Sequence, residues 1–279
     1  MHAPVQALIP DWPAPPGVGA AMSTRLGGVS TGAYASLNLR PPALGGGDGE
    51  DDPQAVRANL QRWREAIGAE PVYLRQVHGA EVVRLNTPAE PGAFCADAAV
   101  TTEPGLACTV LVADCLPVLF CDRQGRAVAA AHAGWRGLAA GVLEHTVRAL
   151  QEAAGCEASE VLAWLGPCIG PQAFEVGADV LTAFGASADE PRGGSHPSPS
   201  QARFAWAPRP DGTPRWHADL AGLAADRLAA IGVSGISACG RCTVSDALSF
   251  FSFRRASHDG SAGRTGRTGR MAVSIWRQG

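Results

Sequence analysis

Lysine is absent from this 279-residue chain; all 23 basic residues are arginine. That absence excludes a lysine Schiff base and the phosphate-gripping lysine of a Walker loop. Any phosphate the protein holds must meet arginine forks, backbone N–H groups or a metal ion. Positive charge is not in excess either. With a formal net charge of −3, the chain has no electrostatic case for nucleic acid. It also lacks any apolar run near the roughly 20 residues a membrane helix needs. The first residues, Met-His-Ala-Pro-Val-Gln-Ala, lack the basic start and apolar stretch of a secretion signal. A cytoplasmic protein with no membrane partner is the expectation. Eight cysteines are scattered through the chain, which is too long to need a disulfide framework. In a reducing compartment they read as packed thiols with a ligand or nucleophile among them.

The pattern predicts one α+β domain, stacked mixed β-sheets flanked by helices, over residues 22–279, after a loosely packed Pro- and Ala-rich lead-in at 1–21. Asp52 has the character of an N-cap with Pro53 at the first helical position. Val56, Leu60, Trp63 and Ile67 then follow at helical spacing and Gly68 closes the helix. Short apolar strands are predicted at Val72–Val77, Glu81–Leu85, Ala98–Thr101, Cys108–Val112, Pro117–Cys121 and Ala127–His132. Gly134–Gly137 reads as a turn into a helix marked by Leu138, Val142, Val147 and Leu150. Val161–Leu165 reads as a strand, Val176–Phe184 as a short helix, and 185–215 as a surface excursion rich in Gly, Ser and Pro. Asp219 caps a further helix; Leu248–Phe253 and Met271–Trp276 read as closing strands.

Chemistry concentrates where strands stop. His78 stands in Gln-Val-His-Gly-Ala-Glu-Val, Cys115 in Val-Ala-Asp-Cys-Leu-Pro-Val, and His132 in Ala-Ala-Ala-His-Ala-Gly-Trp-Arg-Gly. Two imidazoles and one thiolate suit zinc, with copper the alternative, and leave a coordination position for water or substrate. Asp114, beside Cys115, is placed to orient a ligand or manage a proton, or simply to cap a turn. Arg136, in Gly-Trp-Arg-Gly before a helix, and Arg25, in Ser-Thr-Arg-Leu-Gly-Gly, are candidates for anion binding. Arg254, Arg255, Arg264, Arg267 and Arg270 form a third basic group. Cys239-Gly-Arg-Cys242 has redox spacing but lacks the strand-to-helix context, and reads as packed thiols, as does Cys168. His2, His145, His196, His217 and His258 are not assigned to the metal.

Five blocks in order carry a resemblance: Thr24-Arg-Leu-Gly-Gly-Val-Ser, Gln76-Val-His-Gly-Ala-Glu-Val, Ala113-Asp-Cys-Leu-Pro-Val, Ala131-His-Ala-Gly-Trp-Arg-Gly and Gly166-Pro-Cys-Ile-Gly-Pro. With Phe250-Phe-Ser-Phe-Arg-Arg and Thr268-Gly-Arg-Met-Ala near the end, the chain resembles the laccase-domain family. Its members are called polyphenol oxidases, purine nucleoside phosphorylases and peptidoglycan editing factors. Phe174 and Phe253 stand where tyrosine is common. An insertion around 256–265 leaves the roles of Arg255 and Arg270 open.

The resemblance implies a single α+β domain with metal ligands at His78, Cys115 and His132. It implies zinc-dependent phosphorolysis of adenosine, inosine and methylthioadenosine, with deamination of adenosine as a second activity. Nucleoside and phosphate are then the partners, and a monomer the expected state. Cys115, Asp114 and Arg25 are the catalytic candidates; Arg25, Gln76 and Arg136 are the substrate-binding ones. The competing readings are a copper polyphenol oxidase, an amidase acting on peptidoglycan precursors with Cys115 as nucleophile, and a binding module with a structural metal.

Overall fold

The computed structural model describes residues 3–45, 51–189, 200–258 and 266–279. In chain order the elements begin with β1 (Ala7–Leu8), β2 (Val18–Ser23), α1 (Pro53–Ile67), β3 (Glu70–Tyr73), β4 (Val82–Leu85) and β5 (Ala98–Thr101). Next come β6 (Leu106–Val112), β7 (Leu116–Asp122), β8 (Val128–Ala133), α2 (Trp135–Ala139), α3 (Val142–Ala154) and β9 (Val161–Leu165). The chain continues with β10 (Glu175–Val176), α4 (Ala178–Ala183), β11 (Phe204–Trp206), β12 (Trp216–Ala218) and α5 (Leu220–Ala230), and ends with β13 (Gly235–Ala238), α6 (Phe253–His258) and β14 (Met271–Arg277).

Two mixed sheets stack face to face. One has the order β1-β2-β14-β6-β3 and the other β13-β9-β7-β8-β5-β4; β10, β12 and β11 form a small third sheet. The central strands are buried on both faces, so their period of two is hidden inside continuous apolar runs. Packing recovers it. In β7, Leu116, Val118 and Phe120 face the helical side with α3 and α5, while Leu119 and Cys121 face the other sheet. In β8, Ala129, Ala131 and Ala133 face the helices, and Val128 and Ala130 face the other sheet. Helix α1 covers the far side of the five-stranded sheet, laying Trp63 and Ile67 on Tyr73, Ala107 and Ala272. The Trp63 indole N–H donates to Ser274 Oγ at 3.1 Å, so that ring is buried without an unsatisfied donor. The architecture is α+β, with stacked mixed sheets flanked by helices.

Helix α1 starts and stops as its sequence dictates. Asp52 accepts from Gln54 N–H at 3.0 Å, and Gly68 takes φ +65° with its N–H on the Arg64 carbonyl. Other expectations need correcting. The residue 21/22 boundary falls inside β2, and the lead-in contributes paired strand rather than loose chain. The strand from Val72 ends at Tyr73, and Gly134–Gly137 is largely the helix α2. Residues 175–176 are strand, so the helix predicted from Val176 begins at Ala178. Leu248–Phe253 is no strand: the Ser249 N–H is taken by the Asp246 carboxylate, the Phe250 N–H by the Asp246 carbonyl and the Phe251 N–H by Met271 Sδ, while Phe250 and Phe251 are buried. The excursion over 185–215 supplies β11 at its centre, and 190–199 lie outside the described residues. Among the described residues no helix is long and apolar enough to cross a membrane.

Candidate metal centre and substrate cavity

The even residues of β8 face the space between the sheets, and His132 continues that face at the strand's last turn toward the edge of the stack. Pro117 pairs with His132 across the β7–β8 ladder, which puts Cys115, just ahead of β7, beside the same opening. His78 arrives from the loop after β3. The three ligand atoms lie within 4.8 Å of one another, and no other such group is found among the described residues. The two imidazole rings meet edge to face with centroids 4.9 Å apart, and His78 Nε2 is 3.9 Å from Cys115 Sγ. Gly134 makes this approach feasible. A Cβ there would stand 2.8 Å from His78 Cδ2 and 3.2 Å from Cys115 Sγ.

One carboxylate that sequence reasoning passed over organises two of these ligands. Asp97, fully buried just before β5, accepts the backbone N–H groups of Val77, His78 and Gly79 at 3.0, 2.9 and 2.8 Å. His78 sits at φ +59°, a left-handed conformation that an L residue keeps only when its surroundings impose it. Three amides converging on one carboxylate supply that constraint. Asp97 Oδ1 also lies 2.8 Å from His132 Nδ1, and its carbonyl accepts the His132 backbone N–H at 2.7 Å. The available signal was an acidic residue abutting an apolar strand, which says nothing about so distant a partner.

Asp114 borders the same opening, but its carboxylate is bound by other partners. It has φ +97°, and its carboxylate accepts from Thr243 Oγ1 at 2.6 Å, Ser252 Oγ at 3.0 Å and the Arg254 N–H at 2.7 Å. It therefore ties the segment 243–254 to the centre and caps α6, a distant helix and not the local turn that the sequence offered as its alternative. Asp97, not Asp114, stands behind the histidines.

Electrostatics follow from this packing. Burial opposes charge on Cys115, but the charge of His132 and hydrogen bonds from both histidines win, and the thiol is pulled down to about 6. Burial likewise opposes charge on His132, but the Cys115 thiolate and the Asp97 hydrogen bond raise it to about 9. Asp97 itself is held below the ordinary carboxylate range: burial is outweighed by His132 and the backbone amides. Each charge favours the other, which biases the metal-free centre toward a thiolate–imidazolium pair.

The centre forms the base of a cavity of about 360 Å³. Leu74, Leu111, Ile169 and Phe174 give it apolar wall, and Arg40, Arg75, Arg254 and Arg270 bring positive charge to it. None of these four arginines lies in an ion pair with a carboxylate of the described residues. Of the sequence candidates, Gln76 lines the cavity, with its amide bound to both backbone groups of Leu111 at 2.9 and 2.7 Å. Arg25 does not line it. Its guanidinium serves the carbonyls of Ala35 and Ala247 and lies over Phe251. Arg136 lies over Trp135, outside the cavity lining. Arg255 donates to the Thr243, Val244 and Phe250 carbonyls, whereas Arg270 reaches the cavity. His2, His196 and Arg264 lie outside the described residues. All eight cysteines are free; Cys242 pairs by backbone with Cys168, and its sulfur accepts from Gly170 N–H at 3.1 Å.

Residues 19–278 match the family described as multi-copper polyphenol oxidoreductase laccase. The chain belongs to this family. A relative from Pseudomonas aeruginosa, named purine nucleoside phosphorylase PA4543, is 47% identical over 272 residues, 97% of this chain and 98% of its own. Purine nucleoside phosphorylase YfiH of Escherichia coli is 44% identical over 272 residues, covering 96% and 98%. Among solved structures, Neisseria meningitidis protein NMB0706 superposes with a TM-score of 0.78 at 43% identity, covering 98% of this chain and 99% of that one. The family's fold and the one found here agree.

Proposed function

We propose that this chain is a zinc-dependent purine nucleoside phosphorylase, a cytoplasmic monomer that cleaves adenosine, inosine and methylthioadenosine with inorganic phosphate and also deaminates adenosine. The observation that carries this reading is a soft three-donor centre in a cavity bearing four arginines that pair with no carboxylate of the described residues. The names of the relatives point the same way.

The donor chemistry fits a zinc ion. His78, Cys115 and His132 supply two borderline nitrogens and a soft sulfur already disposed to be thiolate. Asp97 fixes the His132 ring through Nδ1, so Nε2 is the nitrogen left for a metal. A zinc ion held there supplies Lewis acidity and lowers the pKa of a water molecule toward neutrality, which is what deamination needs. The chain's own residues do the rest. The apolar wall excludes water and takes the flat purine. The arginines neutralise and orient the phosphate dianion for attack at C1′. In phosphorolysis a phosphate oxygen bonds to C1′ as the bond to N9 breaks. The electron pair leaves with the purine, which takes up the proton that the monohydrogen phosphate gives up, and the sugar leaves as its 1-phosphate. Asp114 and Arg25 act as positioning residues, the one holding the Arg254 segment and the other the loop at Ala35.

Zinc-replete protein incubated with inosine and phosphate should release hypoxanthine, and adenosine without phosphate should yield inosine. A purified sample with full metal content and no hypoxanthine release rejects the phosphorylase. The family description favours a copper oxidase as second reading; oxygen uptake with phenols and a copper spectrum would support it. The lowered Cys115 thiol favours a cysteine amidase, for which metal chelation would raise activity rather than abolish it.

A further inference from the structure

Asn38 brings two arginines together at the cavity. Its side-chain Oδ1 accepts the backbone N–H of Arg270 at 2.9 Å and that of Arg40 at 3.3 Å. The Leu39 N–H closes the link on the Arg270 carbonyl at 3.0 Å. Asn38 is itself buried: its amide nitrogen donates to Asp51 at 3.0 Å, and its carbonyl accepts from Asn59 Nδ2 at 3.1 Å. A single fixed side chain thus pins the backbones of two arginines that sit far apart in sequence. Both side chains then line the cavity that holds His78, Cys115 and His132.

Among the described residues neither guanidinium is fully engaged. Arg40 gives Nε and Nη2 to the Gly45 carbonyl, leaving Nη1. Arg270 gives Nη1 to the Thr268 and Gly269 carbonyls at 3.0 and 3.2 Å, leaving Nε and Nη2. Burial, and next the charge of Arg40, hold Arg270 below the usual arginine range. Two like charges sharing an enclosed space repel each other, and a bound anion between them removes that cost. Guanidinium forks suit a tetrahedral oxyanion in particular.

We propose that Arg40 and Arg270, set side by side by Asn38, form an oxyanion subsite that holds the attacking inorganic phosphate. The assignment of phosphate as co-substrate rests on the phosphorylase reading. A nucleotide's phosphate group shares the same chemistry, and the experiment separates the two.

Inorganic phosphate, and separately adenosine monophosphate, are titrated calorimetrically into the zinc-loaded full chain without nucleoside. The proteins compared are wild type, Arg40→Gln and Arg270→Gln, with thermal melts to check folding. Each substitution is expected to weaken phosphate binding by about ten- to a hundredfold. Arg40, half-buried at the rim, keeps the test open if Arg270→Gln fails to fold. Equal phosphate affinity in wild type and Arg40→Gln overturns the subsite, as does wild-type binding weaker than about 10 mM. Arg40 dependence for the nucleotide alone overturns the commitment to inorganic phosphate. Arginine-dependent phosphate binding without hypoxanthine release sinks the phosphorylase and leaves the anion subsite standing. Hypoxanthine release with an unchanged phosphate KM in Arg40→Gln does the reverse.

Discussion

The two sides of the cavity are built by the same device put to different ends. On the metal side Asp97 holds a left-handed His78 loop and the His132 ring; on the opposite side Asp114, itself left-handed, holds Thr243, Ser252 and the start of α6. Each buried carboxylate is matched by N–H or O–H donors instead of a guanidinium. The Asp97 side joins residues 77–132, whereas the Asp114 side must draw its partners from beyond residue 240. Two of the three candidate ligands, His78 and His132, are thus fixed by one local web, and the Arg254 segment by long-range closure of the chain. Damage to one carboxylate should leave the other side largely intact.

The largest effect is expected from Asp97→Ala. It strands three amides and an imidazolium in the interior, a loss of roughly 3–5 kcal/mol by denaturant unfolding. Competition with a chromophoric chelator should show zinc affinity falling about 10- to 100-fold. Unchanged zinc affinity would break the comparison at its stronger end. Next comes Asp114→Asn, which keeps the shape but loses charge opposite Ser252, Thr243 and Arg254. A destabilisation of about 1–3 kcal/mol is expected, with a raised KM for phosphate and unaltered zinc content.

A subtler expectation concerns pH. Zinc needs Cys115 as thiolate and His132 neutral. With the thiol at about 6 and the imidazole at about 9, metal-free protein at pH 7 already has the thiolate but still carries the His132 proton. Binding zinc at pH 7 should therefore release about one proton, and nearer two below pH 6. Calorimetry in buffers of different ionisation enthalpy measures that number, and affinity should fall as pH drops through both values. Zero release at pH 7 would refute the thiolate–imidazolium pair. The smallest effect is expected for Arg136→Ala, whose guanidinium lies on Trp135 and is not part of the cavity lining. Stability should stay within about 0.5 kcal/mol of wild type and the phosphate KM should not move.

Much of this arrangement was legible in the residues. The α1 caps, the strands at Ala98–Thr101 and Val161–Leu165, and Cys115 and His132 at strand ends were read from pattern alone; His78 was picked out too, but it stands in a loop five residues past the end of β3. What escaped was whatever depends on a partner far along the chain. Asp97 has no local signature for its grip on residues 77–79, and nothing beside Asn38 announces that it meets Arg270. Arg25 had the look of an anion fork because its loop is rich in glycine and hydroxyls; its donors are consumed by two backbone carbonyls instead. The run Leu248–Phe253 imitates a strand because anchoring aromatics and strand residues share one composition, and only Asp246 capturing the local N–H groups tells them apart.

β14 sits between β2 and β6, though it is made after both. Until Met271–Arg277 is available, residues near 20 and near 110 have no common neighbour to zip against, and the sheet is two fragments with raw edges. A transcript stopping short of that segment would yield a chain whose exposed strands invite pairing with other copies. That late strand is therefore the keystone: the five-stranded sheet stays open until Met271–Arg277 joins β2 to β6.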